Sequence, residues 1–427
     1  MDTLADARPV AAPPITGGAG LPLALCLFLG LGGLATGAIG PLYSTFVPPM
    51  ARAAVADDRI VGLILAIDNV LLFLLVPWTG ALSDRRLAAG RTRRPLVVGG
   101  LVVAAAGMVM LYASPAFGLA GLLGALVVLN IGHYTVRAPF HALIADLVPS
   151  RYRSFATGAM TAFMCLGAIV FLGLASVRRS PEAAFLASAA TLLAVALAFA
   201  GRLREPAAHG AGAAETTFGL LRTAAAQALG GTFEGMRAAF VSLLFIHLSF
   251  QTFASWFTLH AGERFGVAPS DAAVGFIVWA VGGLLGSLPA GMIGIRIGRR
   301  NAMLVGLAGM ALSLVALDRV PTLLAALPLV FVASACWSMP TVNAFPLLVE
   351  PFPRARRGVL AALFFICMAL GGILGDPFNG WLFERAGTRR FLFLAMALYT
   401  ALAFVAVLWI PRGAGEADAR RSGRPSA

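Results

Sequence analysis

A series of long apolar runs constrains the fold of this chain more than any other feature. A helix needs about 20 mostly apolar residues to cross the roughly 30 Å hydrocarbon layer of a bilayer. In the first half of the chain such runs lie near residues 21–47, 59–82, 95–113, 118–145, 154–177 and 183–201. In the second half they lie near residues 238–261, 270–294, 301–317, 321–346, 357–383 and 390–410. Because membrane β-strands would instead alternate in short segments, we predict an all-α membrane protein with twelve transmembrane helices.

The composition identifies lipid as the natural solvent of this chain. Hydrophobic residues make up 59% of the sequence and charged residues only 12%, which is about half the usual charged fraction of a soluble domain. The net charge is +13, and every basic residue is an arginine. Apart from Arg137, these arginines lie in loops or at the ends of the apolar runs, without the interleaved aromatic residues of a nucleic-acid surface. We therefore expect the bilayer, and no nucleic acid, as a partner.

The loop arginines also predict an orientation. Loops on the side of the two chain ends carry more than twice as many arginines as the opposite loops. Short loops rich in arginine stay in the cytoplasm. We therefore predict a multi-pass protein of a bacterial inner membrane with both termini cytoplasmic, although Arg178, Arg179, Arg389 and Arg390 run against the bias.

The longest connection between apolar runs divides the chain into two halves. Within it, residues 216–237 have scattered apolar side chains, which fits either an interfacial helix or a plain linker. The predicted organisation is a flexible cytoplasmic N-terminus at 1–20, a six-helix bundle at 21–201, a cytoplasmic linker at 202–237, a second six-helix bundle at 238–410 and a cytoplasmic tail at 411–427.

The sequence carries no motif for catalysis or for a resident cofactor. Its four cysteines lie singly in apolar runs, without CxxC or Cys/His spacing, so we interpret them as packing residues. It also has no phosphate-binding loop and no pattern of a nucleophile with a base. We expect no metal, no cofactor and no enzymatic activity.

The ends of equivalent runs repeat between the two halves. The second run ends in a small residue and a tight basic loop at 80–94, and the eighth run ends in the same way at 291–300. The fourth and tenth runs end at 146–153 and 350–357, where an acid, a proline and an arginine fall at the same offsets. Two matching halves indicate a parallel repeat, in which two bundles move about a site near the membrane midplane.

These run ends carry a resemblance to a known family. The segment 80–94 resembles the loop signature between the second and third spans of the major facilitator superfamily, and the acid–proline–arginine ends resemble its partner motif. Segments 67–85, 137–147 and 337–350 are similar to its sucrose/disaccharide:proton symporter branch and bacterial relatives, near the glycoside–pentoside–hexuronide symporters. The resemblance implies two six-helix bundles in the major facilitator fold and secondary active transport by alternating access.

Two positions depart from the resembled pattern. Ile295 stands where the second-half loop signature would hold an acid, as Asp84 does in the first half. In the eleventh run, Asp376 follows a glycine and precedes a proline, where the relatives usually run directly from glycine to proline. The relatives offer no counterpart for the charge of Asp376.

Two charged residues of the first bundle are predicted to lie near the membrane midplane. Asp68 is nine residues inside Arg59, and Arg137 is nine residues before Asp146, so each is about 14 Å from a membrane face. Arginine cannot shed its charge, so Arg137 must meet water, a carboxylate or a polar substrate. We predict that Asp68 and Arg137 face one cavity and pair for part of the cycle. The alternative is a permanent structural ion pair.

Further polar residues fall on single helix faces within the apolar runs. His133, Arg137 and His141 are spaced by four, and the same spacing recurs at His247, Gln251 and Ser255. Polar groups inside a membrane are costly and mark cavities, although packing and interhelical hydrogen bonds are alternative roles. The predicted substrate and coupling residues are Asp68, Asn69, Asn130, His133, Arg137, His141, His247, Gln251, Trp256, Trp337, Asn343 and Asp376.

A second predicted set lies at the cytoplasmic ends of the runs, where a charge network could close the inner face of the protein. Solvated charge that only sets the orientation is the alternative. The predicted gating residues are Gly80, Asp84, Arg85, Arg94, Asp146, Arg153, Glu350 and Arg357.

The resemblance and the polar residues together predict a monomeric, proton-coupled symporter of a sugar or a similar polar solute, with sodium as the other candidate coupling ion. Asp68, Asp376 or a histidine would take the proton. Proton-driven efflux of an amphipathic drug or metabolite is the alternative. Superfamily antiporters typically carry a glycine–proline motif in the fifth span, and residues 158–175 contain glycines but no proline.

Overall fold

The computed structural model describes residues 23–148, 153–205, 219, 235–349 and 357–411. Throughout these ranges the ordered elements are helices, thirteen α-helices and one short 3-10 helix at Ser114–Phe117. The helices of the first half are α1 Leu23–Gly37, α2 Ile39–Ala54, α3 Asp58–Ala88, α4 Arg94–Ala113, α5 Gly118–Leu147, α6 Arg153–Arg178 and α7 Pro181–Arg202. Those of the second half are α8 Met236–Phe265, α9 Pro269–Ile297, α10 Arg299–Leu317, α11 Leu323–Val349, α12 Arg357–Ala386 and α13 Leu392–Leu408.

The helices account for twelve membrane crossings. By length and apolar composition, nine segments of the described chain could span a bilayer, and one of these, Arg94–Ile144, covers α4 and most of α5. The long helix α12 and the shorter apolar helix α13 supply the remaining crossings. Helices α1 and α2 together form the first crossing. The prediction of an all-α protein with twelve spans is confirmed, whereas most of the segment 216–237 lies outside the described residues.

Local sequence signals explain where several helices begin and end. The Asp57 side chain accepts a hydrogen bond from the backbone N–H of Arg59 at 2.8 Å and caps the start of α3. Proline stands in the first turn of α9 at Pro269, where its missing N–H costs nothing. Gly266, with a φ of 67°, ends α8 in the left-handed conformation that glycine adopts without strain. These signals keep the turn between α8 and α9 short.

The packing of the helices repeats between the halves. In the first half α4 packs on α5 and α7, α3 packs on α5, and α1 packs on α6. In the second half α10 packs on α11 and α13, α9 packs on α11, and α8 packs on α12. Each second-half contact is the counterpart of a first-half contact, six crossings later. This correspondence is the structural form of the parallel repeat indicated by the sequence.

The two halves meet mainly through α3 against α12, α6 against α9, and α2 against α8. The α3–α12 contact is close because glycines stand at it. A Cβ on Gly62 would lie 2.3 Å from the carbonyl oxygen of Asp376, and one on Gly380 would lie 2.3 Å from that of Asp58. Only glycine permits this approach. We call the membrane face with the α2–α3, α8–α9 and α12–α13 turns the distal face, and the face nearer the chain ends the proximal face.

Candidate functional site

The centre of the first bundle holds an acid bound by a tyrosine. Asp68 is half-buried on α3, about 15 Å along the helix from its distal end. The Tyr134 hydroxyl of α5 donates a hydrogen bond to Asp68 Oδ1 at 2.5 Å. Tyr134 is itself buried. The Tyr134 hydroxyl therefore holds the Asp68 side chain in place, although Tyr134 was not predicted as a site residue from the sequence.

Arg137 lies one helical turn from Tyr134 on the same side of α5. Its guanidinium is close enough to Asp68 to act on it electrostatically. Within the described residues, however, no hydrogen bond or ion pair joins Arg137 to Asp68 or to another side chain. The direct pairing predicted for part of the cycle is absent from this conformation because Tyr134 occupies Asp68 instead. The charge of Arg137 is left available.

The other predicted residues of α5 flank this arginine. The His133 ring lies 5.0 Å from the Tyr134 ring, and its Nδ1 has no hydrogen-bond partner within the described part of the chain. His141 is exposed, and Asn130 is buried with its amide nitrogen unpartnered among the described residues. Asn130 and His133 on α5 therefore each keep a polar atom without a hydrogen-bond partner among the described residues.

A second acid lies in the other bundle. Asp376 of α12 is fully buried. The Gln251 amide nitrogen of α8 donates to Asp376 Oδ2 at 3.0 Å and to Ser255 Oγ at 2.9 Å. No cation forms an ion pair with Asp376 in the ranges that the structure describes, and its Oδ1 there has no hydrogen-bond partner. The acid that departs from the family pattern thus contacts the polar stripe predicted on α8.

The two acids approach each other across the junction of the halves. Tyr43 of α2 lies within electrostatic range of both Asp68 and Asp376, and Asp68 lies within electrostatic range of Asp376. The Tyr43 hydroxyl also donates weakly to the backbone carbonyl of Leu65 at 3.5 Å. We call Tyr43, Asp68, Tyr134 and Asp376 the carboxylate cluster. Tyr43 and Tyr134 each place a phenol hydroxyl inside an apolar run. Such a hydroxyl needs a hydrogen-bond partner, and this is the sequence signal that could have identified them.

An aromatic group of the second bundle adjoins Gln251 in sequence. Phe250 stacks on Trp337 with ring centroids 4.9 Å apart, and Trp337 lies 6.0 Å from Trp279. Trp337 is half-buried. In the described chain neither of the two indole N–H groups has a hydrogen-bond partner. Trp337 was predicted from the sequence, whereas Phe250 and Trp279 were not.

Four predicted substrate residues are engaged in packing instead. Trp256 is fully buried, edge-on against Phe383 at 5.1 Å, so it belongs to the core. The Asn343 amide nitrogen donates to the carbonyl oxygen of Ala290 at 3.1 Å, the interhelical bond that was the alternative for this residue. His247 is buried, and its Nδ1 lies 2.8 Å from the carbonyl oxygen of Leu243. Asn69 is also buried, and its side chain packs so closely on Gly372 of α12 that it fills the space a Cβ there would need. Trp256, Asn343, His247 and Asn69 each make packing or hydrogen-bonding contacts within the protein in this conformation, and their role at the substrate stays a prediction.

A charge network stands at the proximal end of the first bundle, centred on Arg93. Arg93 Nη1 contacts Asp84 Oδ1 at 2.6 Å, and Arg93 Nε contacts Asp146 Oδ2 at 2.9 Å. Arg93 Nη1 also donates to Ser83 Oγ at 2.6 Å, and its backbone N–H donates to Glu205 Oε2 at 2.6 Å. The predicted acids therefore share one arginine, and it is a residue that the sequence analysis did not choose.

Three further predicted gating residues, Arg94, Arg85 and Gly80, lie outside the Arg93 network. Arg94 Nη1 donates to the backbone carbonyl oxygens of α7 and its end, Ala200 and Leu203, at 3.3 and 3.2 Å. Arg85 is exposed, and Gly80 faces α5. The side chains of the last three lie outside what the structure describes: Arg153, Glu350 and Arg357. The network as described lies within one half of the protein.

Several solved structures share this helix arrangement. The nucleoside transporter NupG superposes with a TM-score of 0.73 at 16% identity, covering 91% of this chain and 99% of that one. A bacterial homologue of the human lysosomal transporter Spinster, inward-facing and occupied, gives 0.72 at 15% identity over 92% and 97% of the chains. A D-xylose–proton symporter gives 0.64 at 18% identity over 92% and 99%. At these identities the likeness shows the fold.

A curated relative is similar over a shorter stretch. A gallate transporter of Pseudomonas putida is 31% identical over 159 residues, which are 36% of this chain and 34% of that protein. The matched part thus spans about a third of the relative's length. The family model described as Major Facilitator Superfamily matches twice, at residues 23–259 and 239–426, and so covers nearly the whole chain. With its repeated helix packing and these matches, the chain belongs to the Major Facilitator Superfamily of membrane transporters.

Proposed function

We propose that this transporter carries a small polar solute into the cell together with protons. The observation that carries the proposal is the state of the central charges: Tyr134 binds Asp68, while Arg137 remains without a direct partner in the described chain. An unpaired cation inside a membrane protein is costly. A solute with an acceptor or anionic group would satisfy Arg137, and Asp68 would exchange its proton as it moves between Tyr134 and Arg137.

Asp376 extends the proton site across the two halves. A fully buried carboxylate without a cation is costly to keep charged, so we propose that Asp376 carries a proton in this conformation. The Gln251 amide donates to its Oδ2, which leaves Oδ1 to release or receive the proton. Because Asp68 lies within electrostatic range of Asp376, we propose that a negative charge on Asp68 disfavours a negative charge on Asp376. Motion of the halves would change that coupling.

Two substrate classes fit different parts of this site. A sugar, as the sequence resemblance implies, would use Gln251 and the histidines of α5 for hydrogen bonds and Trp337 as an apolar face. An aromatic carboxylate would place its anionic group on Arg137 and its ring by Phe250 and Trp337. Specific support for the second class comes from the unpaired arginine, the unpartnered indole N–H groups and the similarity to a gallate transporter. We favour the aromatic carboxylate.

We propose that the proximal face is cytoplasmic and that the protein lies in a bacterial inner membrane. The excess of arginines in the proximal loops supports this orientation. The distal face would then meet the solute outside the cell. We further propose the proton as the coupling ion and the monomer as the working unit, since both bundles needed for the central site come from one chain.

Reconstitution of the purified protein into liposomes tests this function. With an inward proton gradient and no membrane potential, labelled gallate and labelled sucrose are offered separately while an internal pH dye follows the protons. We expect gallate to accumulate and the lumen to acidify in step with it. Accumulation of sucrose alone would select the sugar class. Solute entry that leaves the internal pH unchanged, or no gradient-driven entry of either solute, would overturn proton symport.

A further inference from the structure

A second group of charged residues lies at the distal face, away from the central site. Asp58 begins α3 and is buried, and Arg389 stands in the turn between α12 and α13. Arg389 Nη2 lies 2.5 Å from Asp58 Oδ1, and Arg52 Nε lies 3.2 Å from the same oxygen. Two arginines from opposite halves of the protein therefore share one carboxylate.

The same arginine is held in place by its own half. Arg389 Nη1 lies 3.2 Å from Glu263 Oε2, and the backbone N–H of Arg389 donates to that oxygen at 3.0 Å. The Thr388 hydroxyl also donates to Glu263. A further bond crosses between the halves, because the backbone N–H of Asp58 donates to Glu384 Oε2 at 2.8 Å. Arg389 is thus preorganised to receive Asp58.

The network lies over a sealed contact between α3 and α12. One turn or so below Asp58, Gly62 and Gly380 let the two helix backbones touch. The ion pair between Asp58 and Arg389 above this seal is largely buried, with side-chain exposures of 4% for Asp58 and 14% for Arg389. Buried pairs are screened less by salt than surface pairs. They are also strongly perturbed when one partner is removed.

The ion pairs of the described residues differ between the two faces in whether they join the two halves. At the proximal face, Arg93 joins Asp84 to Asp146 within the first half. At the distal face, Asp58 joins Arg389 across the halves. In the part of the chain that the structure describes, the cross-half ion pair therefore stands on the distal side alone. A pair of this kind forms when the distal ends of the bundles meet and is lost when they part.

From this geometry we propose that Arg52, Asp58, Glu263, Glu384 and Arg389 form a distal latch that holds the distal gate shut. The inference rests on the proposed alternating access. It adds a gate that was not predicted from the sequence, because the predicted gating residues were all assigned to the cytoplasmic ends of the apolar runs. Charged groups suit a gate that opens into water, since each partner is hydrated once the halves part. The latch thus favours closure without making the open state prohibitively costly.

Distances between spin labels on the two halves test the latch directly. The four free cysteines, Cys26, Cys165, Cys336 and Cys367, are first replaced. Labels are then attached at Ala56→Cys and Ala386→Cys, two exposed positions of the distal face on opposite halves. In detergent and in nanodiscs we expect one dominant short distance in this background. Arg389→Gln and Asp58→Asn should each add a longer distance and raise the open-to-closed ratio by at least about tenfold.

Two further variants separate a latch from general damage. Arg59→Gln removes a surface arginine that pairs with Asp57 within one half, on the same face, and should leave the distances unchanged. The double variant Asp58→Asn with Arg389→Gln should open the gate about as much as either single change, because both remove the same contact. Arg389→Lys, which keeps a charge without the two-pronged geometry, should open it less. It also serves if Arg389→Gln fails to fold.

The outcomes separate this inference from the proposed transport function. Short distances in the folded variants Asp58→Asn, Arg389→Gln and Arg389→Lys, matching those of the background, would overturn the latch even if proton-driven uptake is normal. Additive opening in the double variant would also overturn it, because the residues would then act independently. A longer distance in the single variants supports the latch even if neither gallate nor sucrose is transported.

Discussion

The Tyr134 hydroxyl donates to Asp68 Oδ1 at 2.5 Å from the same face of α5 that carries Arg137. One helix therefore presents Asp68 with two competing partners, a neutral donor that it binds here and a cation one turn away. The competition is local, since exchanging the partners needs a side-chain movement and no unfolding of the helix. We infer that this exchange is the element through which solute binding at Arg137 and proton binding at Asp68 influence each other.

Replacing Tyr134 tests the competition. In Tyr134→Phe, Asp68 loses its neutral donor and should pair directly with Arg137, which would then be less available to the solute. We expect solute affinity to fall about tenfold, the size of one lost hydrogen bond together with the new ion pair. Binding is measured by isothermal titration on purified protein. Tyr112→Phe, at an exposed position of α4, is the matched control. An unchanged affinity in Tyr134→Phe would contradict the role given to the phenol.

Arg137 should distinguish anionic from neutral solutes. In Arg137→Gln, affinity for gallate should fall about a hundredfold, because a charge-assisted bond in a partly dry site is lost. Arg137→Lys should recover part of it, since the charge returns without the planar fork. Sucrose binding, if there is any, should change much less. Arg204→Gln, at an exposed site beyond α7, controls for net charge. Equal losses for both solutes would count against an anion site.

The two predicted tryptophans should behave differently. Trp256 is fully buried against Phe383, so Trp256→Phe should lower the free energy of unfolding by about 1–3 kcal/mol and leave affinity for the solute intact. Trp337 is half-buried beside Phe250, so Trp337→Ala should weaken binding of an aromatic solute about tenfold or more. Thermal unfolding and binding are measured on the same samples. Loss of affinity in Trp256→Phe with normal stability would reverse the assignment.

The glycine at the seal should control opening of the distal gate. A Cβ at position 380 would lie 2.3 Å from the carbonyl oxygen of Asp58, so Gly380→Ala should prevent full closure of the distal face. We expect faster maleimide labelling of a single cysteine placed at Asn69 beneath the seal. Gly99→Ala, at a position of α4 with open space, should leave the labelling rate unchanged. Equal rates in the two variants would show that α3 and α12 adjust without opening.

The fold could be predicted from the sequence because membrane-spanning helices and an internal repeat both leave direct patterns in it. Apolar runs of sufficient length predict helices that cross a membrane, and equal acid–proline–arginine offsets at 146–153 and 350–357 indicate two like halves. The helices of the described residues account for twelve crossings, and their packing matches between the two halves. These properties depend on run length and on sequence offsets, which a single sequence displays directly.

Which side chains contact each other at the site could not be predicted, because residue spacing along the chain does not show which helices come together. Arg93, one residue from the predicted Arg94, is the arginine that joins Asp84 and Asp146. Arg93 is the N-cap residue of α4 and Arg94 is its first residue, so their side chains leave the backbone in different directions and Arg94 reaches the end of α7 instead. Likewise, the pairing of Asp58 with Arg389 joins residues 331 positions apart. The contact between Asp58 and Arg389 forms because the two halves of the protein meet there.

Accumulation of solute by the Asp68→Asn variant is the decisive measurement for the coupling proposed here. In liposomes with an imposed inward proton gradient, the variant should fail to concentrate labelled solute and should still exchange labelled for unlabelled solute across the membrane. Asparagine keeps an acceptor for Tyr134 but cannot bind and release the proton. Concentrative uptake by Asp68→Asn that equals that of the wild type would contradict a proton-carrying role for Asp68.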